Sequence, residues 1–139
     1  MDDPHNLRRF VAAQAPVYEQ VRSELQEGRK SSHWMWFIFP QIEGLGHSEQ
    51  ALRFAISCLE EARAYLKHPT LGPKLRECTR LVNQVEGHSI TRILGSPDDL
   101  KFRSSMTLFA QATPDNEVFQ EALRKYFGGE PDWATLERL

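Results

Sequence analysis

Apolar side chains recur three and four positions apart along nearly the whole chain, and prolines and glycines cut that recurrence into short lengths. Residues so spaced lie on one face of an α-helix, so the pattern describes a succession of short amphipathic helices. Leu7, Phe10, Val11 and Ala15 share a face that starts near Pro4, behind Asp2 or Asp3 as a cap, and stops at Pro16. Val17, Val21 and Leu25 share the next, which Gly28 closes. Ser48 to Lys67 is the longest periodic run, with Leu52, Ala55, Leu59, Ala62 and Leu66 in line, Ser48 to cap it and His68-Pro69 to stop it. Leu71, Leu75, Cys78, Val82 and Val85 form a core-facing seam over Thr70 to Val85. Ser89 to Leu94 is a single turn. Ser96-Pro97-Asp98-Asp99 predicts a helix start with Ser96 as N-cap, Pro97 at N1 and Asp99 as the N3 acid. That helix runs to about Gln111. Thr113-Pro114-Asp115 repeats the device ahead of Val118, Phe119, Ala122, Leu123 and Tyr126, and Pro131 to Leu139 forms a short tail held by Trp133 and Leu136.

The expected architecture is therefore all-α: one compact domain over residues 1–139, its core within about 6–127, built from about six to eight helices in an orthogonal or irregular array. A chain of 139 residues is a common domain size and can bury roughly two-thirds of its unfolded surface without metal or disulfide. Connections of two to five residues leave no room for a linker.

Residues 31–47 break the rhythm. They carry Trp34, Met35, Trp36, Phe37, Ile38 and Phe39 as a contiguous apolar run ended by Pro40, and then Gly44 and Gly46. A short buried strand and one or two helical turns both fit that run; with no strand partner elsewhere, helical turns are favoured. Residues two apart on a helix do not share a face, so Trp34 and Trp36 cannot easily both be core. One of them is free to line a cleft, where its ring can stack on a planar ligand. His33 is the neighbouring side chain suited to proton transfer and is the candidate catalytic residue. Gln41 offers an amide donor and acceptor. Gly44, Gly46 and Ser48 precede a helix and form a candidate anion nest. On the helix after Pro97, Lys101 and Ser105 share a side and can hold a phosphate or carboxylate. Each feature also has a plain structural reading: aromatic core, tight turn, N-cap, or small residues that let helices approach.

Composition removes several function classes. The net charge is −2, from 17 basic and 19 acidic side chains that are interspersed along the chain, so there is no basic stripe for general nucleic-acid binding. The histidines at 5, 33, 47, 68 and 88 and the cysteines at 58 and 78 lack metal-ligand spacing, and no cofactor fingerprint or Gly-x-Ser-x-Gly elbow occurs. Cys58 and Cys78 read as reduced thiols. No secretory signal or membrane-spanning run is seen, and a cytoplasmic protein without membrane attachment is expected.

Several blocks together resemble a bacterial family of uncharacterised proteins, the domain-of-unknown-function family numbered 1810. They are Ser32 to Gln41 with Gly44-Leu45-Gly46, Glu61 to Leu66 with His68-Pro69, Asp98 to Lys101, and Ser104 to Phe109. The resemblance implies an all-helical fold and carries no activity. The residues themselves suggest a small-molecule-binding helical domain, monomeric or homodimeric, for an anionic or aromatic ligand. An enzyme acting on a nucleotide-like or anionic metabolite is one form of that reading. The alternative is a protein-interaction or structural module without catalysis.

Overall fold

Almost every proline and glycine cut becomes a corner. The computed structural model describes residues 3–139, and its ten helices are α1 (Arg8–Gln14), α2 (Tyr18–Gln26), α3 (Met35–Ile38), α4 (Glu49–Arg53), α5 (Leu59–Lys67), α6 (Leu71–Gln84), α7 (Ile90–Leu94), α8 (Asp98–Ala112), α9 (Glu117–Phe127) and α10 (Trp133–Leu136). The number exceeds the six to eight expected because one anticipated helix is broken in two and two single turns, α3 and α10, stand as elements of their own.

The broken helix is the one expected over Ser48 to Lys67. Ser48 does cap α4, its hydroxyl accepting the Ala51 N–H at 3.1 Å, but α4 stops at Arg53 and α5 starts at Leu59. Between them Ile56 pairs with Ile42 in an isolated parallel bridge: the Ile56 N–H donates to the Gln41 carbonyl and the Glu43 N–H donates to the Ile56 carbonyl, both at 2.8 Å. The pairing is a single bridge with one residue from each segment, and no strand forms among the described residues. Backbone groups freed by the break find tertiary partners, as buried ones must. The Arg9 guanidinium donates to the carbonyls of Arg53 and Ala55 at 2.9 and 2.7 Å, and the Glu61 carboxylate accepts the Ser57 N–H at 2.9 Å. The longest helix is instead α8, of 15 residues.

The helix starts also differ from expectation in detail. Asp3 accepts from the N–H groups of Leu7 and Arg8 at 2.8 and 3.1 Å, so residues 4–6 are a turn ahead of α1. Asp2 lies outside the described residues. Ser96 does not cap α8, which begins at Asp98 behind Pro97. Asp99 instead accepts the Thr91 hydroxyl at 2.6 Å and so ties α7 to α8. Likewise α9 begins at Glu117, behind Asn116, whose amide donates to the Ala110 carbonyl at 2.8 Å.

α8 is the axis of the core. Phe102 and every residue from Ser104 to Ala110 are buried, the pattern of a helix covered on all sides. The hydroxyls of Ser104 and Thr107 bond back to the carbonyls of Leu100 and Arg103 at 3.2 and 2.8 Å, so these small side chains bring little polar cost. Aromatic rings link the layers: Phe39 meets Phe102 edge-on at 4.9 Å, and Tyr65 lies between Phe10 at 5.1 Å and Phe109 at 5.3 Å. α6 turns in tightly after α5, and a Cβ on Gly72 would collide with the Leu66 carbonyl oxygen. Gly72→Ala is therefore expected to lower stability by about 1–3 kcal/mol in urea unfolding.

The aromatic run begins from a buried charge. Glu24, on α2, is 2 % exposed. One carboxylate oxygen accepts the N–H groups of Ser31 and Ser32 at 2.8 and 3.1 Å and the Trp34 indole N–H at 2.9 Å; the other accepts Gln20 at 2.9 Å and the Ser32 hydroxyl at 2.6 Å. Burial alone would push this carboxyl up. The Ser32 hydroxyl, the Ser31 amide, Gln20 and the indole more than offset it and hold the carboxyl down to about 2. Because the folded value lies below the ordinary 4.5, the contribution is complete above pH 4.5 and is lost as pH falls toward 2. Glu24→Gln is expected to cost about 2–3 kcal/mol at pH 7. The gap between the two proteins should narrow as thermal melts are repeated from pH 4.5 down to the lowest pH at which both fold. A gap independent of pH would contradict the assignment.

Candidate functional site

α3 is a single turn, and it sends two tryptophans to opposite environments. Trp34 is 1 % exposed and bonded to Glu24, with the Lys30 ammonium 5.2 Å from its ring centroid. Trp36 is half-buried and lines a cleft. Its indole N–H is shut off from solvent and finds no acceptor among the described residues. The chain then passes buried Pro40 and runs along the cleft edge as residues 41–46. Gly44 has φ +99°, and the Arg138 guanidinium occupies the place a Cβ would take. A side chain at Gly46 would press on Ala51 of α4. The two glycines hold the loop against its neighbours.

The cleft has two parts. The inner part lies between Trp36, Gly44, Gly46, Phe54 and Lys101, and its free space of about 10 Å³ is close to that of one water. The outer part is a basin of about 390 Å³ between Gln41, Leu45 and Gly46 on one side, Pro97, Leu100, Lys101 and Ser104 of the α8 end on the other, and Asp132 with Ala134 closing it. That volume lies in the range of small-molecule sites. Gln41, Gly46 and Lys101 line both parts.

A shared carboxylate sets the charge. The Lys101 ammonium is 5.4 Å from the Trp36 ring centroid and 3.6 Å from the Asp98 carboxylate. The other oxygen of Asp98 is 2.9 Å from the Lys30 ammonium, whose side chain is only 9 % exposed. Two ammonium groups, each over a tryptophan, thus share one acid, and Lys101 is the one that faces the cleft. The far wall is fixed by Asp132, whose carboxylate accepts the Ser104 hydroxyl at 3.1 Å and the Thr135 N–H and hydroxyl at 3.1 and 2.5 Å. Its own N–H donates to the Thr107 hydroxyl at 2.9 Å, which docks the last helix on α8.

Of the residues singled out in the sequence, the fold gathers Trp36, Gln41, Gly44, Gly46 and Lys101 around one cleft. Trp34 is in the core. His33 is exposed and lines neither part of the cleft. Ser48 caps α4 from an exposed position, and Ser105 is fully buried, its hydroxyl unpartnered; Ser104 is the serine that lines the basin. Sequence reasoning missed Lys30, Asp98 as the bridging acid, and Asp132. The three-residue spacing of Asp98 and Lys101 was a usable signal for the second. Nothing in the chain order announces Lys30 or Asp132.

A family model described as a protein of unknown function, DUF1810, matches residues 4–139. The chain belongs to the DUF1810 family. A solved structure, that of the conserved hypothetical protein Rv1873 from Mycobacterium tuberculosis, is 60 % identical to this DUF1810 chain. It covers 99 % of this chain and 98 % of its own, with a TM-score of 0.98. A comparison with curated proteins finds no match. Among the described residues of this DUF1810 protein, no cluster of three or more His, Cys, Asp or Glu side chains is placed to hold a metal, and no helix is long and apolar enough to cross a membrane.

The two tryptophans should respond differently to the same change. Trp34→Phe removes a bond to a buried carboxylate and leaves a void, and is expected to cost about 2–4 kcal/mol in urea unfolding. Trp36→Phe removes a donor that has no partner at a half-buried site, and is expected to cost less than about 1 kcal/mol. Equal losses would contradict the placement of the two rings.

Proposed function

We propose that this protein binds a small anionic molecule in the cleft between residues 41–46 and the first turns of α8. Lys101 supplies the charge, the Gln41 amide supplies directional hydrogen bonds, and the basin holds the body of the ligand. The observation that carries the reading is the Lys101 ammonium together with the Gln41 amide on the wall of a basin of about 390 Å³. An oxyanion is the ligand that meets the ammonium and the amide at once. The proposal assigns no chemical step, since His33 lies away from the cleft.

A second reading, docking of a protein partner, is favoured by Leu52, Leu100, Trp133 and Leu139, which are large, apolar and exposed. The two differ in what they ask of Lys101. The test is a two-dimensional NMR titration of the protein with acetate, inorganic phosphate and a nucleoside monophosphate at low salt, following the three indole N–H signals. At least one anion is expected to move the Trp36 signal and leave that of Trp34 in place, and Lys101→Met is expected to abolish the movement. If no anion moves the Trp36 signal, the reading is wrong.

A further inference from the structure

The basin has a chemistry of its own, and it narrows the ligand class. This step rests on the anion-binding reading above. No aromatic side chain lines the basin. Trp34 and Phe39 are buried in the core, and Phe37 packs on Phe54 at 5.4 Å. Trp36 belongs to the inner part, with the Lys101 ammonium near its ring. A nucleobase entering the basin finds no ring on which to stack. What it finds is aliphatic: Leu45, Pro97, Leu100 and Ala134. Leu100 is 56 % exposed, so its side chain is available to cover apolar ligand surface.

The charges point the same way. Lys101 is the cation free to meet an anion, and Asp98 already neutralises part of it at 3.6 Å. Arg103 also borders the basin, but its guanidinium donates to the Glu130 carbonyl at 3.0 Å and lies 5.5 Å from the Phe127 ring centroid. One carboxylate, that of Asp132, belongs to a residue lining the basin itself. A phosphate dianion would meet one ammonium that Asp98 already pairs, and the Asp132 carboxylate beside it. A singly charged carboxylate is matched by Lys101 and the Gln41 amide, and leaves its hydrocarbon part on the leucines.

We infer that the ligand class is an aliphatic monocarboxylate: one carboxylate at the Lys101 ammonium and the Gln41 amide, and a short branched or linear hydrocarbon body over Leu45 and Leu100. Two or three methylene-sized groups taken out of water strengthen binding by roughly tenfold or more.

The test is titration of the full chain with acetate, 4-methylpentanoate, inorganic phosphate and adenosine monophosphate, read on the Trp36 indole signal. 4-Methylpentanoate is expected to bind about tenfold or more tightly than acetate, and more tightly than phosphate or the nucleotide. Leu100→Ser, a change at an exposed position, is expected to remove most of that advantage, so that 4-methylpentanoate then binds about as acetate does. Lys101→Met is expected to remove binding of both. Equal affinity for acetate and 4-methylpentanoate, or tighter binding of phosphate or nucleotide, overturns the aliphatic assignment and leaves the anion site standing. Failure of all four to move the Trp36 signal overturns the anion site itself.

Discussion

The arrangement of the whole molecule around its aromatic run depends on one buried carboxylate. Glu24 holds two consecutive amides, a hydroxyl and an indole of residues 31–34, and Gln20 of its own helix completes the set. A charge taken out of water survives only if nearly every lone pair is satisfied, and here five donors do so. Once Ser31, Ser32 and Trp34 are fixed to α2, the turn that follows has no freedom to rotate. Trp34 goes inward, Trp36 goes to the side, and Phe39 meets Phe102 of α8. The cleft wall is the consequence.

A second buried acid does the same work one layer away. Glu61, also 2 % exposed, accepts the Arg9 guanidinium at 2.8 Å and the Ser57 N–H and hydroxyl at 2.9 and 2.8 Å. Arg9 in turn serves the carbonyls of Arg53 and Ala55. The irregular segment between α4 and α5 is thus built from side-chain bonds rather than from a helix, and its Ile56 pairs with Ile42 beside the cleft. Both acids stabilise a non-helical stretch of chain by supplying partners its backbone would otherwise lack.

The fold class was legible because helices are set by apolar periodicity, and α2, α5, α6 and α9 follow it closely. The core role of α8 was half legible: its small hydroxyl residues read either as a ligand-holding side or as close-packing positions, and most of them are the latter. The break at residues 54–58 was not legible, because Ala55 and Ile56 continue the helical spacing while serving a bridge whose other half lies at Ile42. Glu24 and Glu61 were invisible for a related reason. In sequence they belong to a mixed-charge pattern, and only their offsets of three and four from Val21 and Tyr65 place them inside the buried arc. The cleft was legible in part: Trp36, Gln41, Gly44, Gly46 and Lys101 come together, whereas His33, Trp34, Ser48 and Ser105 go elsewhere. Local spacing says which residues share a helix face. It does not say which loops that face meets, and Lys30 and Asp132 reach the site only through tertiary contacts.

The chemistry offered at the cleft follows from these constraints in order: Glu24 fixes α3, α3 presents the Trp36 indole, and Asp98 leaves Lys101 a partly neutralised cation beside it. The measurement that bears most directly on this chain of dependence is the titration of the Glu24 carboxyl carbon itself by carbon-detected NMR. The account predicts a midpoint near pH 2, with the Trp34 indole N–H signal shifting in the same step. A midpoint near the ordinary 4.5, with the indole signal unmoved, would contradict it.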